Sequence, residues 1–382
     1  MAYGKLNRNL MMLGVTAIVT ACTTPYSTPS FDSRPPGKSF PGIVELVKAA
    51  PTRTLDVLMV HGMCTHGLED WAIGAVKNLN TALGGTDEIK LVPRAVQGSN
   101  AYLYQQTLTV QTGKIRVNAL VWSPIVAPLK HQLCFDQTDK SKSCIDSPSY
   151  PYKRASLNAD LKDGLMNDCL ADAIIYQGKS RDTISQQIQT AIVTAASPSA
   201  GRGDAASLFK AAAMEKTPLV LITESLGSKI AFDAIYKLVK SPYPDASAAG
   251  RQIFDRTVQI FMGANQIPLL ALADQTLEGL EDFQTGYPSD SLSALIAMKT
   301  ARFSVAMPAP NVVAFTDPND SLSYILVPAK QVAQYDVIDV VVSNSNTYFG
   351  FLERPDTAHK GYQAKRAVFE LIACGTSGIP CK

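Results

Sequence analysis

"VLITESLGSKIAF", residues 220–232, is where the chain passes from one kind of pattern to another. Val220 to Ile222 close an apolar run that begins at Pro218. Leu226, Ile230, Ala234 and Leu238 then recur at four-residue spacing through "LGSKIAFDAIYKLVK" (226–240). A continuous apolar run suits a strand buried on both faces, and a four-residue stripe suits a helix packed along one side. Little lies between the two patterns, so the chain must turn sharply at Ser225. Such an elbow brings strand and helix close together, which favours small residues two before and two after the serine. Gly227 meets that demand and Thr223 meets it only in part. Ser225 is therefore read as a candidate nucleophile at the tip of a strand-to-helix elbow, with an ordinary turn serine as the alternative.

Working outward, similar apolar, β-branched-rich runs recur: "TLDVLMV" (54–60), "KIRVNALVW" (114–122), "PLVLIT" (218–223), "TVQIFMG" (257–263), "NVVAF" (311–315) and "VIDVVVS" (337–343). Helical patterns lie between several of them. Leu161, Leu165, Cys169 and Ala173 form one four-spaced face, and Asp182 is a plausible N-cap for "TISQQIQTAIVTAA". "TLTVQTGKIRVNAL" reads as a hairpin turning at Gly113. Together these predict an α/β fold, a mainly parallel central sheet covered by helices. Residues 123–181 and 268–309 are longer than simple crossovers require and are candidate lid or cap insertions. No internal repeat is visible.

The chain has 382 residues, 46% of them hydrophobic and 18% charged, a globular composition large enough for one sizeable core over 43–382. Its net charge of +2 comes without a basic run, which argues against a nucleic-acid partner. Nothing in the composition selects an oligomeric state. At the N-terminus, Lys5 and Arg8 precede an apolar stretch from Leu10 to Ala21 that is short for a membrane span and reads as an export signal over 1–21. The stretch ends in Val19-Thr20-Ala21-Cys22, which resembles the bacterial lipobox. The resemblance implies cleavage before Cys22, acylation of that cysteine and a membrane anchor. Thr23, standing where inner-membrane retention usually requires Asp, points to an outer-membrane lipoprotein facing the periplasm. Residues 22–42 then read as the lipidated cysteine and a flexible tether rich in Pro, Ser and Thr.

Besides Cys22 there are six cysteines, and export into an oxidising compartment suggests disulfides. Cys134 with Cys144 and Cys374 with Cys381 are the nearest pairs in sequence. Cys64 and Cys169 are left over, either bonded or free.

A serine nucleophile needs a base, and the chain holds four histidines: His61, His66, His131 and His359. His359 lies after the last strand in "RPDTAHKGYQAKRAVFELIACG", read as a loop leading into a final helix, where an imidazole can reach the C-terminal edge of the sheet. The orienting carboxylate is sought after the preceding strand, where "NVVAFTDPNDSLSYIL" offers Asp317 and Asp320. Pro318 and Asn319 make this a turn, so one of the two aspartates is read as a turn former, and Asp317 is better placed for that role.

The order Ser225, Asp320, His359, each after a predicted strand, resembles the α/β-hydrolase superfamily over roughly residues 54–372 and is similar to its serine esterases and lipases. That resemblance implies an α/β-hydrolase fold and places the acid a few residues beyond the strand, which favours Asp320 as the partner of His359. It also accounts for "LMVHGMCTHG" (58–67): His61 and Gly62 correspond to the loop that opens the oxyanion hole, with the backbone N–H groups of Met63 and Leu226 as donors. The implied chemistry is cofactor-free acyl transfer on an ester or acyl-lipid substrate. Glu224 is read as a neighbour of the site rather than a catalytic group. A rival reading takes His61, Cys64, His66 and Asp70 as metal ligands, but H-x-x-C-x-H is not a standard zinc spacing and no second ligand pair follows, so no metal is expected. Thr223 in place of glycine sustains a different alternative, a non-catalytic lipoprotein that keeps the fold as a binding module.

Overall fold

The computed structural model describes residues 22–198, 204–276, 290–302, 309–327, 335–348 and 352–377. Its strands are β1 (Cys22–Thr23), β2 (Ser30–Arg34), β3 (Thr54–Val60), β4 (Val92–Arg94), β5 (Tyr102–Val110), β6 (Gly113–Val121), β7 (Leu219–Glu224), β8 (Thr257–Gly263), β9 (Asn311–Thr316), β10 (Val337–Val341) and β11 (Thr347–Tyr348). Nine of them form one sheet in the order β2-β10-β9-β8-β7-β3-β6-β5-β4, and β1 pairs with β11 beside it. The strands from β6 to β10 in that order run parallel, while β2, β4 and β5 pair antiparallel at the flanks. The α/β class follows directly, and the apolar runs predicted at 54–60 and 257–263 coincide with β3 and β8.

The helices flanking the sheet are α1 (Ile43–Ala49), α2 (Ile73–Ala82), α3 (Ala171–Gln177), α4 (Arg181–Ala195), α5 (Ala205–Met214), α6 (Leu226–Val239), α7 (Pro244–Asp255), α8 (Ser291–Arg302), α9 (Pro355–Lys360) and α10 (Arg366–Cys374). They form two layers, because side chains alternate across each strand. Leu55, Val57 and Met59 of β3 pack with Ile43, Val76 and Ile372 of α1, α2 and α10. Leu58 and Val60 of the same strand pack with Ile188, Ile230 and Ile253 of α4, α6 and α7. This two-sided burial is why the strand reads as an unbroken apolar run. Asp56 interrupts it and is buried against two guanidiniums, Arg116 at 2.6 Å and Arg256 at 2.8 Å.

Three expectations change. Residues 30–34, read as part of a tether, form β2 antiparallel to β10, with Ser30 opposite Val341 and Arg34 opposite Val337. β10 would otherwise leave a row of unpaired N–H and C=O groups, and an edge strand with one solvent face can satisfy them with a polar sequence. Asp182 does not cap its helix: Ser180 precedes α4, and Asp182 sits in the first turn paired with Lys237 at 2.8 Å. The hairpin forms as expected, but its turn residues are Gln111 and Thr112, with Val110 opposite Gly113.

Residues 123–181 leave the C-terminal end of β6 and hold short turns, the Cys134–Cys144 disulfide and a π-type helical run Leu161–Leu170 that continues into α3. Of 268–309, residues 277–289 and 303–308 lie outside the described residues. The flanking parts are stapled to α6, where Lys229 reaches Asp274 at 2.6 Å and Ser291 donates to Asp233. The export signal predicted over 1–21 also lies outside the described residues. No described helix is long and apolar enough to cross a membrane.

Candidate active site

β7 ends at Glu224 and α6 begins at Leu226, leaving Ser225 alone at the turn with φ 52° and ψ −131°. Positive φ is uncommon for a residue with a Cβ, so the surrounding contacts must hold it there. The Ser225 N–H donates to Gly263 O at 2.8 Å, and its carbonyl accepts the Ser228 N–H at 3.1 Å. Gly227 is required by contact: a Cβ there would lie 2.1 Å from the His61 carbonyl oxygen. Thr223 is buried there with its hydroxyl 2.9 Å from Ser228 Oγ, which satisfies it.

His359 reaches this serine, with Nε2 3.1 Å from Ser225 Oγ. It lies in the last turn of α9 rather than in a loop. The helix is only six residues long, between Arg354-Pro355 and Gly361, too short for a periodic pattern to reveal. His359 Nδ1 is 3.0 Å from both carboxylate oxygens of Asp320. All three groups are buried, with Ser225 1% and His359 5% exposed.

The two aspartates after β9 have different partners. Asp317 accepts the N–H groups of Asn319 and Asn344, closing the turn and tying it to the segment after β10. Asp320 faces His359 and also accepts the Leu322 N–H at 3.0 Å. Between them stands Tyr362, which the sequence did not single out. Its hydroxyl donates to Asp320 Oδ2 at 3.1 Å and accepts the Asp317 N–H at 2.7 Å.

The segment after β3 passes directly over the elbow. A Cβ on Gly62 would lie 2.8 Å from Ser225 Cβ and 3.2 Å from Glu224 O, so only glycine fits. Met63 follows, while Leu226 heads α6, where the first N–H groups of a helix have no intrahelical acceptor. His61 is part of the scaffold. Its Nδ1 is 2.8 Å from Gly62 O, and Nε2 accepts the Trp122 N–H at 3.0 Å, which places the proton on Nδ1. Its ring stacks on Trp122. Burial, reinforced by His66, holds the His61 imidazole well below its usual pKa. His66 Nε2 donates to Met63 O at 2.9 Å and so fixes the same loop from the other side.

This loop is also fastened to the insertion after β6. Cys64 and Cys169, left unassigned by sequence, form a disulfide. The Cys64 N–H donates to Asp172 at 2.8 Å, and the Thr65 N–H and hydroxyl donate to Asp168. Lys130 bridges Asp168 and Asp172 at 2.6 and 3.1 Å. Burial raises the Asp172 carboxyl to about 7, with Lys130 offsetting part of that cost. The Asp168–Asp172 pair, four residues apart around Cys169, is a signal the sequence carried unread. Cys374 is disulfide-bonded, and its expected partner Cys381 lies outside the described residues.

Glu224 is half-buried behind the serine and accepts from Gln363 Nε2. Desolvation raises its carboxyl to about 7, against the pull of Gln363 and His359. Among the described residues, the cluster of metal-ligating types is Cys64, Asp168 and Cys169, whose sulfurs are joined to each other. The arrangement of Ser225, His359 and Asp320 can take the proton from a serine hydroxyl. No protein-family model, curated protein or solved structure matches this chain.

Proposed function

We propose that this chain is a serine hydrolase of the α/β-hydrolase type that cleaves carboxylic esters through an acyl-enzyme. One observation carries the reading: Ser225 Oγ, His359 and Asp320 form a continuous hydroxyl–imidazole–carboxylate relay at 3.1 and 3.0 Å, on a serine at positive φ. The succession of parallel strands β7, β9 and β10, each followed by one of the three residues, supports the superfamily resemblance.

In the proposed mechanism His359 Nε2 takes the Ser225 proton as Oγ attacks the ester carbonyl, and Asp320 stabilises the imidazolium. The N–H groups of Met63 and Leu226 receive the charge that develops on the carbonyl oxygen. The imidazolium then protonates the departing alkoxide, leaving the acyl group on Ser225. Water, deprotonated by His359, attacks this acyl-enzyme, and the imidazolium returns that proton to Ser225 Oγ as the acid leaves. No step draws on a cofactor. The lipobox resemblance at Cys22 supports an outer-membrane lipoprotein facing the periplasm.

The burial of Ser225 favours the second reading, a binding module that keeps the fold without turnover. A fluorophosphonate probe separates the two. Wild type becomes labelled and Ser225→Ala does not, and ester hydrolysis falls by several orders of magnitude in His359→Ala. Folded wild-type protein that resists the probe would establish the binding module instead.

A further inference from the structure

The residue read as the lipid anchor does not hang free of the fold. Cys22 pairs with Tyr348 and Thr23 with Thr347 in the β1–β11 ladder, where the Thr347 hydroxyl donates to Thr23 O at 3.0 Å. Downstream, the Tyr26 N–H donates to Ser343 Oγ at 3.0 Å and its carbonyl accepts the Ser343 N–H at 3.2 Å. β2 then runs antiparallel to β10, starting with Ser30 beside Val341. The start of β2, and the chain upstream to Cys22, therefore lie at the C-terminal edge of the parallel strands.

Ser225, Asp320 and His359 occupy that same edge. The segment 343–348 joins the two features. Asn344 donates its N–H to Asp317 and its side-chain amide to Ala358 O, and Ser345 Oγ lies 3.2 Å from Thr357 Oγ1 on the helix that carries His359. A free tether of some twenty residues would let the body wander about 25 Å from its anchor. Pairing at Cys22 removes that freedom.

The edge also exposes large apolar side chains on three successive loops: Leu269 and Leu272 after β8, Tyr324 and Ile325 after β9, and Tyr348 and Leu352 after β10, each between 37% and 59% exposed. Exposed apolar side chains beside a site suit a surface that meets another apolar phase, and tyrosines suit the depth of lipid headgroups. A lipid anchor and such a surface reinforce one another, since each alone binds a bilayer less firmly.

We infer that the C-terminal edge of the sheet faces the membrane: the acyl chains on Cys22 enter the bilayer beside Tyr348, the six apolar residues seat in its interfacial layer, and Ser225 draws acyl esters from the lipids of that bilayer. The inference rests on the serine-hydrolase reading for its substrate and on acylation of Cys22 for its anchor.

The test uses mature acylated protein in vesicles of phosphatidylethanolamine and phosphatidylglycerol, with three measurements. Hydrogen exchange on vesicles, compared with detergent, is expected to protect 265–274, 320–327 and 343–348 and to leave 211–217 and 242–246 at the opposite edge unchanged. The reverse pattern, or no protection, overturns the orientation whether or not the protein hydrolyses anything. Fatty-acid release from the vesicles is expected to fall about tenfold or more both when a twenty-residue Gly-Ser linker is inserted between Cys22 and Thr23 and in Tyr348→Asp/Leu352→Asp, while hydrolysis of soluble p-nitrophenyl butyrate stays within about twofold. A wild type that hydrolyses p-nitrophenyl butyrate but releases no fatty acid from the vesicles overturns the substrate claim, and unchanged vesicle turnover in both variants overturns the role given to the Cys22 pairing and the apolar residues. A wild type inert towards p-nitrophenyl butyrate refutes the hydrolase reading and the substrate claim with it, leaving the exchange pattern to decide orientation. A mature chain without fatty acid on Cys22 overturns the inference at its premise.

Discussion

Two carboxyls beside the elbow, Asp320 and Glu224, have very different surroundings. Asp320 has donors on every side in His359, Tyr362 and the Leu322 N–H. Glu224 has Gln363 and an otherwise apolar lining that includes Met59, Phe261 and Phe315, and desolvation raises it to about 7. Its stability contribution follows from the sign of that shift. The folded state holds the proton more tightly than the unfolded chain, so the contribution is fully present below the unfolded pKa, near 4.5, and is lost as pH rises through about 7. With one pKa unit worth about 1.4 kcal/mol, the loss is on the order of 3 kcal/mol. Glu224→Gln removes the titrating group while keeping the shape. Its thermal midpoint is expected to exceed that of wild type above pH 7.5 and to match it near pH 5, as read by calorimetry across that range. A wild-type midpoint that rises between pH 5 and 8 relative to the variant would contradict this account of Glu224. Asp172, raised by burial in the same way, adds a slope that is common to both proteins.

At the scale of elements, the oxyanion loop is a short connection with long-range supports. β3 and α6 pack so closely that Gly227 meets the His61 carbonyl, and Gly62 lies against Ser225. Cys64 takes φ 81°, held by its disulfide to Cys169 and by the Asp172 carboxylate. The disulfide joins positions 105 apart in sequence, so it both closes a large loop of the unfolded chain and ties the insertion after β6 to the loop over Ser225. For loops near that length the chain-entropy account gives about 4–5 kcal/mol of stabilisation. Cys64→Ser/Cys169→Ser is expected to lower the denaturant midpoint accordingly, and to lower kcat for a soluble ester by about tenfold with KM little changed, since donors that shift lose aim at the oxyanion. A variant with wild-type kcat would show that the Asp168, Asp172 and Lys130 contacts suffice to hold the loop.

For the whole molecule, the decisive feature is an edge strand of ordinary composition. β2 reads "SFDSR", four of its five residues are exposed, and it nonetheless closes the β10 side of a nine-stranded sheet. A chain beginning at Pro35 is expected to lose several degrees of Tm and to aggregate through the uncovered β10 edge, as followed by calorimetry and light scattering; equal Tm and solubility would mean that β2 contributes no protection. The apolar runs, the four-residue stripes and the order of serine, aspartate and histidine were legible in the sequence because they are local: a strand buried on both faces has to be apolar along its length, and a helix has to present one stripe. The preference for Asp320 over Asp317 drew on local turn chemistry together with the family resemblance. What tertiary structure alone decided are the partnerships between remote segments. These are β2 on β10, Cys22 beside Tyr348, Cys64 with Cys169, and Tyr362 between two aspartates. None leaves a periodic trace, because each depends on which edge, cavity or donor remains unsatisfied once the sheet and its two helical layers have assembled.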